Sequence, residues 1–264
     1  MENNYKIYVM GCRGSYPIFG KQFQEFGGST TCYIITNGNH AIVLDCGTGL
    51  YNAKKLLSTC KKIDVLFSHV HYDHTLGLLN AGVFPKDAEV TYYGDFKTWF
   101  NKDSMKDTFL VHPFWPVDIA NGKFVQFNSD GKFLEVNKEV KFASIPAPHP
   151  DNCSTFKIVI NDKVITFLCD CESFDDNLIN YSKNSDILFY DSMFDVDDYE
   201  SHKGWGHSTW LQGCELAAVA NAKRLFLTHH NYEYDDNRLL DMEKRCKQKF
   251  ANSFFSREGL VIEL

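Results

Sequence analysis

Four side chains able to bind a metal fall within six residues of one another: His69, His71, Asp73 and His74, in Ser68-His69-Val70-His71-Tyr72-Asp73-His74. The segment follows an apolar run at 63–67 and leads into Thr75-Leu76-Gly77. Residues two apart in an extended segment share a face, so His69 and His71 point to one side. Asp73 and His74 come where the chain turns and can face a second point. Imidazole together with carboxylate suits zinc, manganese or iron. A merely polar surface cluster is the plain alternative, but His-x-His and Asp-His coinciding at the end of a strand-like run argues against it. Three more residues occupy comparable places. His149 sits in Pro146-Ala147-Pro148-His149-Pro150 just after the run 140–145, Asp170 ends the run 164–168, and His229 ends the run 224–227. Singly, each reads as a structural or surface residue. Together they describe a site assembled from the C-terminal ends of several strands on a rigid scaffold.

The elements that must position these residues are short and mostly extended. Strand-like runs lie at 5–10, 31–36, 41–45, 63–69 and 89–94, and again at 123–127, 139–147, 155–160, 163–169, 186–191 and 224–230. Each is rich in β-branched and aromatic residues and bounded by polar or glycine breaks. Thr36-Asn37-Gly38 and Ile160-Asn161-Asp162 read as hairpin turns. Helices are expected at 50–58, 75–79, 174–181, 209–222 and 236–250, the fourth capped by Ser208 or Thr209. Strand-rich halves with helices between them suggest two sheets, each covered by helices, as one option among several. No repeat or Pro/Gly linker divides the chain, so 1–264 is expected to be a single domain.

Composition narrows the class. The chain has 264 residues, 44% hydrophobic and 23% charged, which is ordinary for a globular protein with a substantial core. No apolar run approaches the roughly 20 residues of a membrane span. The start, Met1-Glu2-Asn3-Asn4-Tyr5, has no secretory pattern, and no membrane partner is expected. Nine cysteines are scattered without a C-x-x-C pair, which suggests neither a disulfide framework nor a zinc ribbon and fits a cytoplasmic location. The net charge of −7 makes long nucleic acid a less favoured partner. It leaves small anions open, because bound divalent cations would dominate the local field.

His-x-His-x-Asp-His, then a distant His, an Asp after a strand and a last His after another strand resembles the metallo-β-lactamase superfamily. Asp45, in Asp45-Cys46-Gly47-Thr48-Gly49, matches that superfamily's early Asp-x-Gly motif. The resemblance runs from Gly11 to about Asp236. It implies an α+β fold, the αββα sandwich of two sheets flanked by helices. It also implies two divalent metal ions, with zinc favoured and manganese the alternative. Carried over by position, His69, His71 and His149 would hold the first metal, and Asp73, His74 and His229 the second. Asp170 would bridge them, and Asp45 would orient a ligand imidazole. His230 adjoins His229 and is the competing candidate for that place.

Two further stretches resemble the phosphodiesterase branch, which includes ribonuclease Z, the cyclic phosphodiesterase of the phosphonate pathway and anti-Pycsar proteins. The first is Gly11-Cys12-Arg13-Gly14-Ser15-Tyr16-Pro17, followed by Phe26-Gly27-Gly28-Ser29-Thr30-Thr31-Cys32. Its glycines either offer N–H groups to an anion or simply make tight turns. The second is Gly204-Trp205-Gly206-His207-Ser208-Thr209. In the branch this His is a proton donor, here His207, and Asp191 is similar to its orienting partner. An alkoxide leaving group needs such a donor, whose help is worth roughly 10²–10⁴-fold. A third stretch, 111–117, places His112, Phe114 and Trp115 among prolines. It could stack on a base, with His112 as a substrate contact, or form a buried corner.

The expectation is a dinuclear metal-dependent hydrolase acting on a small phosphodiester, such as a cyclic nucleotide or cyclic phosphate, with His207, Asp73 and Asp191 in catalytic roles. A homodimer is the branch's habit. The alternatives are a ribonuclease Z-like nuclease, an acyl-bond hydrolase (lactonase, lactamase or thioesterase), and a metal-binding domain without activity.

Overall fold

Valine, isoleucine, leucine and aromatic residues in runs of four or five leave the strands at Cys32–Thr36, His40–Leu44, Ile187–Asp191 and Leu225–Thr228 buried on both faces, as strands of a covered sheet must be. The computed structural model describes residues 4–264 except 81, 106–107, 109–110, 114 and 118–121. The chain divides into two compact units. The first consists of Met1–Pro17, Ser29–Asn128 and Glu258–Leu264, and the second of Ile18–Gly28 and Ser129–Arg257.

The first unit contains strands β1 (Lys6–Gly11), β2 (Cys32–Thr36), β3 (His40–Leu44), β4 (Lys62–Leu66), β5 (Glu89–Gly94) and β6 (Lys123–Gln126). With the C-terminal strand β14 (Val261–Glu263) they form one sheet in the order β14-β1-β2-β3-β4-β5-β6. The pairings from β14 to β3 are antiparallel, and those from β3 to β6 are parallel. Helices α1 (Lys54–Leu57), α2 (Tyr72–Thr75) and α3 (Phe96–Phe100) belong to this unit. Its core gathers Ile34, Val43, Leu50, Val65, Phe67 and Tyr92.

The second unit repeats the plan. Strands β7 (Leu134–Glu135), β8 (Val140–Ala143), β9 (Phe156–Ile160), β10 (Lys163–Leu168), β11 (Ile187–Asp191), β12 (Leu225–Thr228) and β13 (Ser253–Phe255) run in consecutive order across the sheet. Pairings are antiparallel from β7 to β10 and parallel from β10 to β13. Helices α4 (Asp176–Ser182), α5 (Val196–Tyr199), α6 (Trp210–Val219) and α7 (Asp236–Lys249) complete it. Thr209 caps α6 in a reciprocal box with Gln212, which satisfies two N–H groups that the first turn would leave unpaired. Asp235 caps α7, whose last turn carries Lys247 and Lys249 where the helix dipole favours cations.

Both expected hairpins are present, β2–β3 through Gly38 and β9–β10 through Asn161, each turn using a left-handed residue. Two seven-stranded mixed sheets with helices bear out the α+β class. Strands β7, β13 and β14, of two or three residues each, and helices α3 and α5 are additions that hydrophobic patterning did not mark. No helix among the described residues is long and apolar enough to cross a membrane.

Candidate metal centre

The parallel half of each sheet places polar residues just beyond the C-terminal ends of its strands. Asp45 follows β3, Ser68 and His69 follow β4, Asp170 follows β10, and His229 follows β12. Three of these residues leave the strand in the left-handed region: Asp45 at φ 57°, Asp170 at φ 56° and His229 at φ 58°. Such a conformation costs a non-glycine residue of order 1 kcal/mol or more, and it persists where flanking structure fixes it. The strand ends supply that constraint and turn each side chain out of the ladder.

In the first unit, His69 and His74 are fully buried, and Asp73 is nearly so. The His69 ring lies 4.3 Å from that of His71 and 4.3 Å from that of His74, centroid to centroid. The Asp45 carboxylate organises them. It accepts the Ser68 amide at 2.8 Å, the Ser68 hydroxyl at 2.7 Å and His74 Nδ1 at 2.9 Å. Because the Ser68 proton is committed to Asp45, the 3.1 Å contact between Ser68 Oγ and His69 Nδ1 has the imidazole as donor. Both rings are thereby fixed with Nδ1 protonated, which leaves Nε2 as the ligating atom. His74 Nε2 lies 3.4 Å from Asp73 Oδ2. That same oxygen accepts the Ser15 amide at 2.7 Å. Gly47 lets the turn close: a Cβ there would stand 2.2 Å from the Asp73 carbonyl oxygen.

In the second unit, Asp170 is 1% exposed and has an imidazole on each side. His229 Nε2 is 3.2 Å from its Oδ1, and His149 Nε2 is 3.9 Å from its Oδ2. The Cys169 thiol donates to Asp170 Oδ1 at 3.1 Å. His207 donates from Nδ1 to Asp191 Oδ2 at 2.8 Å, and its ring stacks on His229 with centroids 4.8 Å apart. Asp191 is fixed by the Ser208 amide at 3.0 Å and the Met193 amide at 2.9 Å. One ligand atom each from Asp170, Asp191, His207 and His229 lies within 4.8 Å of the others. Burial pushes the Cys171 thiol and the Tyr190 hydroxyl up, so both stay protonated beneath this group. His230 turns elsewhere: its Nε2 donates to the Ser256 carbonyl at 2.9 Å, and its ring stacks on Phe255.

The donor chemistry in both units fits divalent metal ions. Buried imidazoles crowded ring to ring, and three carboxylates at 0–1% exposure (Asp45, Asp170 and Asp191), are costly unless cations or protons compensate them. Of the expected ligands, His69, His71, His74, His149, Asp170 and His229 fall in groups of side chains able to hold such an ion, and Asp73 stands against His74.

Three contributors escaped sequence reasoning. Ser68 orders two imidazoles, though it stood inside the motif. The Gly14-Ser15 turn spends its amide on Asp73 rather than on a ligand, and Arg13 beside it is fully buried. Glu172 accepts the amides of Gly204 at 2.5 Å and Gly206 at 3.1 Å, and so clamps the loop that carries His207. Gly206, at φ 90°, is needed there, because a Cβ would stand 2.5 Å from the His149 ring. No pattern announces Glu172. In the 111–117 stretch, Trp115 packs partly buried against the first unit's core, as a buried corner would, and His112 is exposed. Phe114 lies outside the described residues.

The probable metallo-hydrolase YhfI of Bacillus subtilis is 25% identical, with 98% of this chain and 99% of that one covered. Its crystal structure, described as a metallo-β-lactamase fold protein, superposes with a TM-score of 0.75 at 21% identity over 98% of this chain and 99% of that one. A diphosphatase of the PhnP family superposes with a TM-score of 0.69 at 18% identity, covering 98% of both chains. Ribonuclease Z of Picrophilus torridus is 38% identical over a stretch that spans 36% of this chain and 30% of that one. A sequence model of the β-lactamase superfamily domain matches residues 40–230, a span that holds every candidate ligand, and the chain belongs to that superfamily.

Proposed function

We propose that the chain is a two-metal phosphodiesterase acting on a small substrate, a cyclic nucleotide or cyclic phosphate. In this reading His69, His71 and His149 would hold one metal, Asp73, His74 and His229 would hold the other, and Asp170 would serve both. When bound, the ions would lower the pKa of a water and neutralise charge on the phosphoryl oxygens. The chain's own residues do the rest. Asp45 and Ser68 keep Nε2 of His69 and His74 available. The Ser15 amide holds the Asp73 carboxylate in place. His207, protonated at both nitrogens, gives its Nε2 proton to the departing sugar oxygen, and Asp191 stabilises the imidazolium through Nδ1.

The observation that carries the reading is the His207–Asp191 pair at 2.8 Å, stacked on His229. A hydrolase of acyl bonds with good leaving groups has little use for a carboxylate-backed imidazolium in that place. The PhnP-family diphosphatase and ribonuclease Z among the similar proteins support a phosphoester substrate. The net charge of −7 favours a small one over RNA.

The test is a parallel assay of metal-loaded protein on bis-p-nitrophenyl phosphate, cyclic nucleotides, a precursor tRNA, a lactone and nitrocefin. Turnover of the first two classes is expected. Turnover confined to tRNA would favour the nuclease, and turnover confined to lactone or nitrocefin would refute phosphodiester chemistry.

A further inference from the structure

All nine cysteines are buried, and most are kept inert by that burial. Cys32 and Cys46 in the first unit, and Cys171 in the second, have thiols pushed well up by desolvation. Cys214 on α6 and Cys246 on α7 differ. The two helices pack together, and the two sulfurs stand 3.1 Å apart across 32 residues of sequence. Around them lie Trp210, Leu239, Met242 and Phe255, a cluster able to hold both helices in fixed register. The hydrogen bond between the two sulfurs holds the Cys246 thiol below its ordinary range against the opposing effect of burial. The same contact raises the Cys214 thiol. Two thiols in sulfur–sulfur contact at 3.1 Å, one of them lowered, have the composition of an oxidisable dithiol.

We propose that Cys214 and Cys246 form a modification site, a dithiol that hydroperoxide-class oxidants convert to a disulfide joining α6 to α7. Cys246 is 0% exposed, so peroxide reaches it on local opening of the α6–α7 packing, and its thiolate then attacks one peroxide oxygen. The O–O bond breaks, the distal oxygen leaves as water after protonation, and Cys246 becomes a sulfenic acid. The Cys214 sulfur then attacks the Cys246 sulfur, the S–O bond breaks, and the hydroxyl leaves as a second water with the Cys214 proton. Two electrons pass from the sulfur pair to hydrogen peroxide, and two thiols and one peroxide yield one disulfide and two waters. The bond would tether the helix that begins at Trp210, three residues after His207.

The experiment treats the folded, metal-loaded protein with hydrogen peroxide, alkylates residual thiols under denaturing conditions, and reads intact mass and a non-reducing peptide map. The expected result is the loss of two hydrogen masses in one linked peptide pair, Cys214 with Cys246, reversed by dithiothreitol. Cys214→Ser is expected to trap the sulfenic acid on Cys246, detectable with dimedone, and Cys246→Ser to abolish both products. The proposal is overturned if wild-type protein keeps both thiols alkylatable at peroxide levels that oxidise its methionines. A map showing links among other cysteines would overturn it equally. The wild-type map decides the matter even if a variant fails to fold.

Discussion

The first unit buries one His–Asp pair on strands β3 and β4 and another just beyond them, between Asp45 after β3 and His74 on α2, and only the second belongs to the candidate centre. At the start of β3, His40 is 2.7 Å from Asp64 through Nε2 and 2.8 Å from the Tyr5 hydroxyl through Nδ1. Both ring nitrogens are consumed by protein, so the arrangement is closed. Beyond the end of β3, Asp45 takes only Nδ1 of His74, and Nε2 is directed toward Asp73 beside the His69 ring. Burial and a carboxylate partner are common to both pairs. What distinguishes a metal centre is the second nitrogen, pointed at further donors instead of at a hydroxyl, and the position beyond the C-terminal ends of parallel strands.

Substitutions should separate the two pairs. His74→Ala is expected to remove a metal ligand and reduce phosphodiester turnover to background, measured with bis-p-nitrophenyl phosphate. His207→Ala should lower kcat by roughly 10²–10⁴-fold on a substrate with a sugar leaving group and far less on the nitrophenyl ester. Equal losses on the two substrates would remove His207 from the proton-donor role. Asp45→Asn keeps the shape but weakens the hold on His74, and should cost about 10–100-fold in metal affinity or activity, read by metal titration. His40→Ala is expected to leave kcat per folded molecule unchanged. It would instead lower stability by about 1–3 kcal/mol, because the buried Asp64 carboxylate loses its 2.7 Å hydrogen bond to the ring. Denaturant unfolding and an activity assay on the same sample check that split; a fall in kcat would erase the contrast between the pairs.

This contrast was only half legible in the sequence. His69, His71, Asp73 and His74 announced themselves because four donors in six residues is a local signal. The eleven longer strands were readable from their β-branched and aromatic content, and the family pattern supplied Asp45, Asp170, Asp191 and His207. Glu172 and Ser15 were not readable as contributors. Glu172 acts by receiving two amides more than thirty residues away, and Ser15 acts through its backbone across 58 residues. Neither role depends on a side-chain pattern near its own position. His229 and His230 are adjacent and alike in sequence. The left-handed turn at His229 sends one toward Asp170 and the other to the Ser256 carbonyl, a difference of backbone conformation that composition does not encode.

The central claim is that seven side chains hold two divalent ions. Elemental analysis of the purified wild-type protein beside Asp170→Ala, with folding of each verified by circular dichroism, tests it most directly. The account expects about two divalent ions per wild-type chain, and in the variant a lower metal content with no turnover. A folded wild-type protein that takes up no stoichiometric metal, or a folded Asp170→Ala variant that keeps full metal and full turnover, would contradict it.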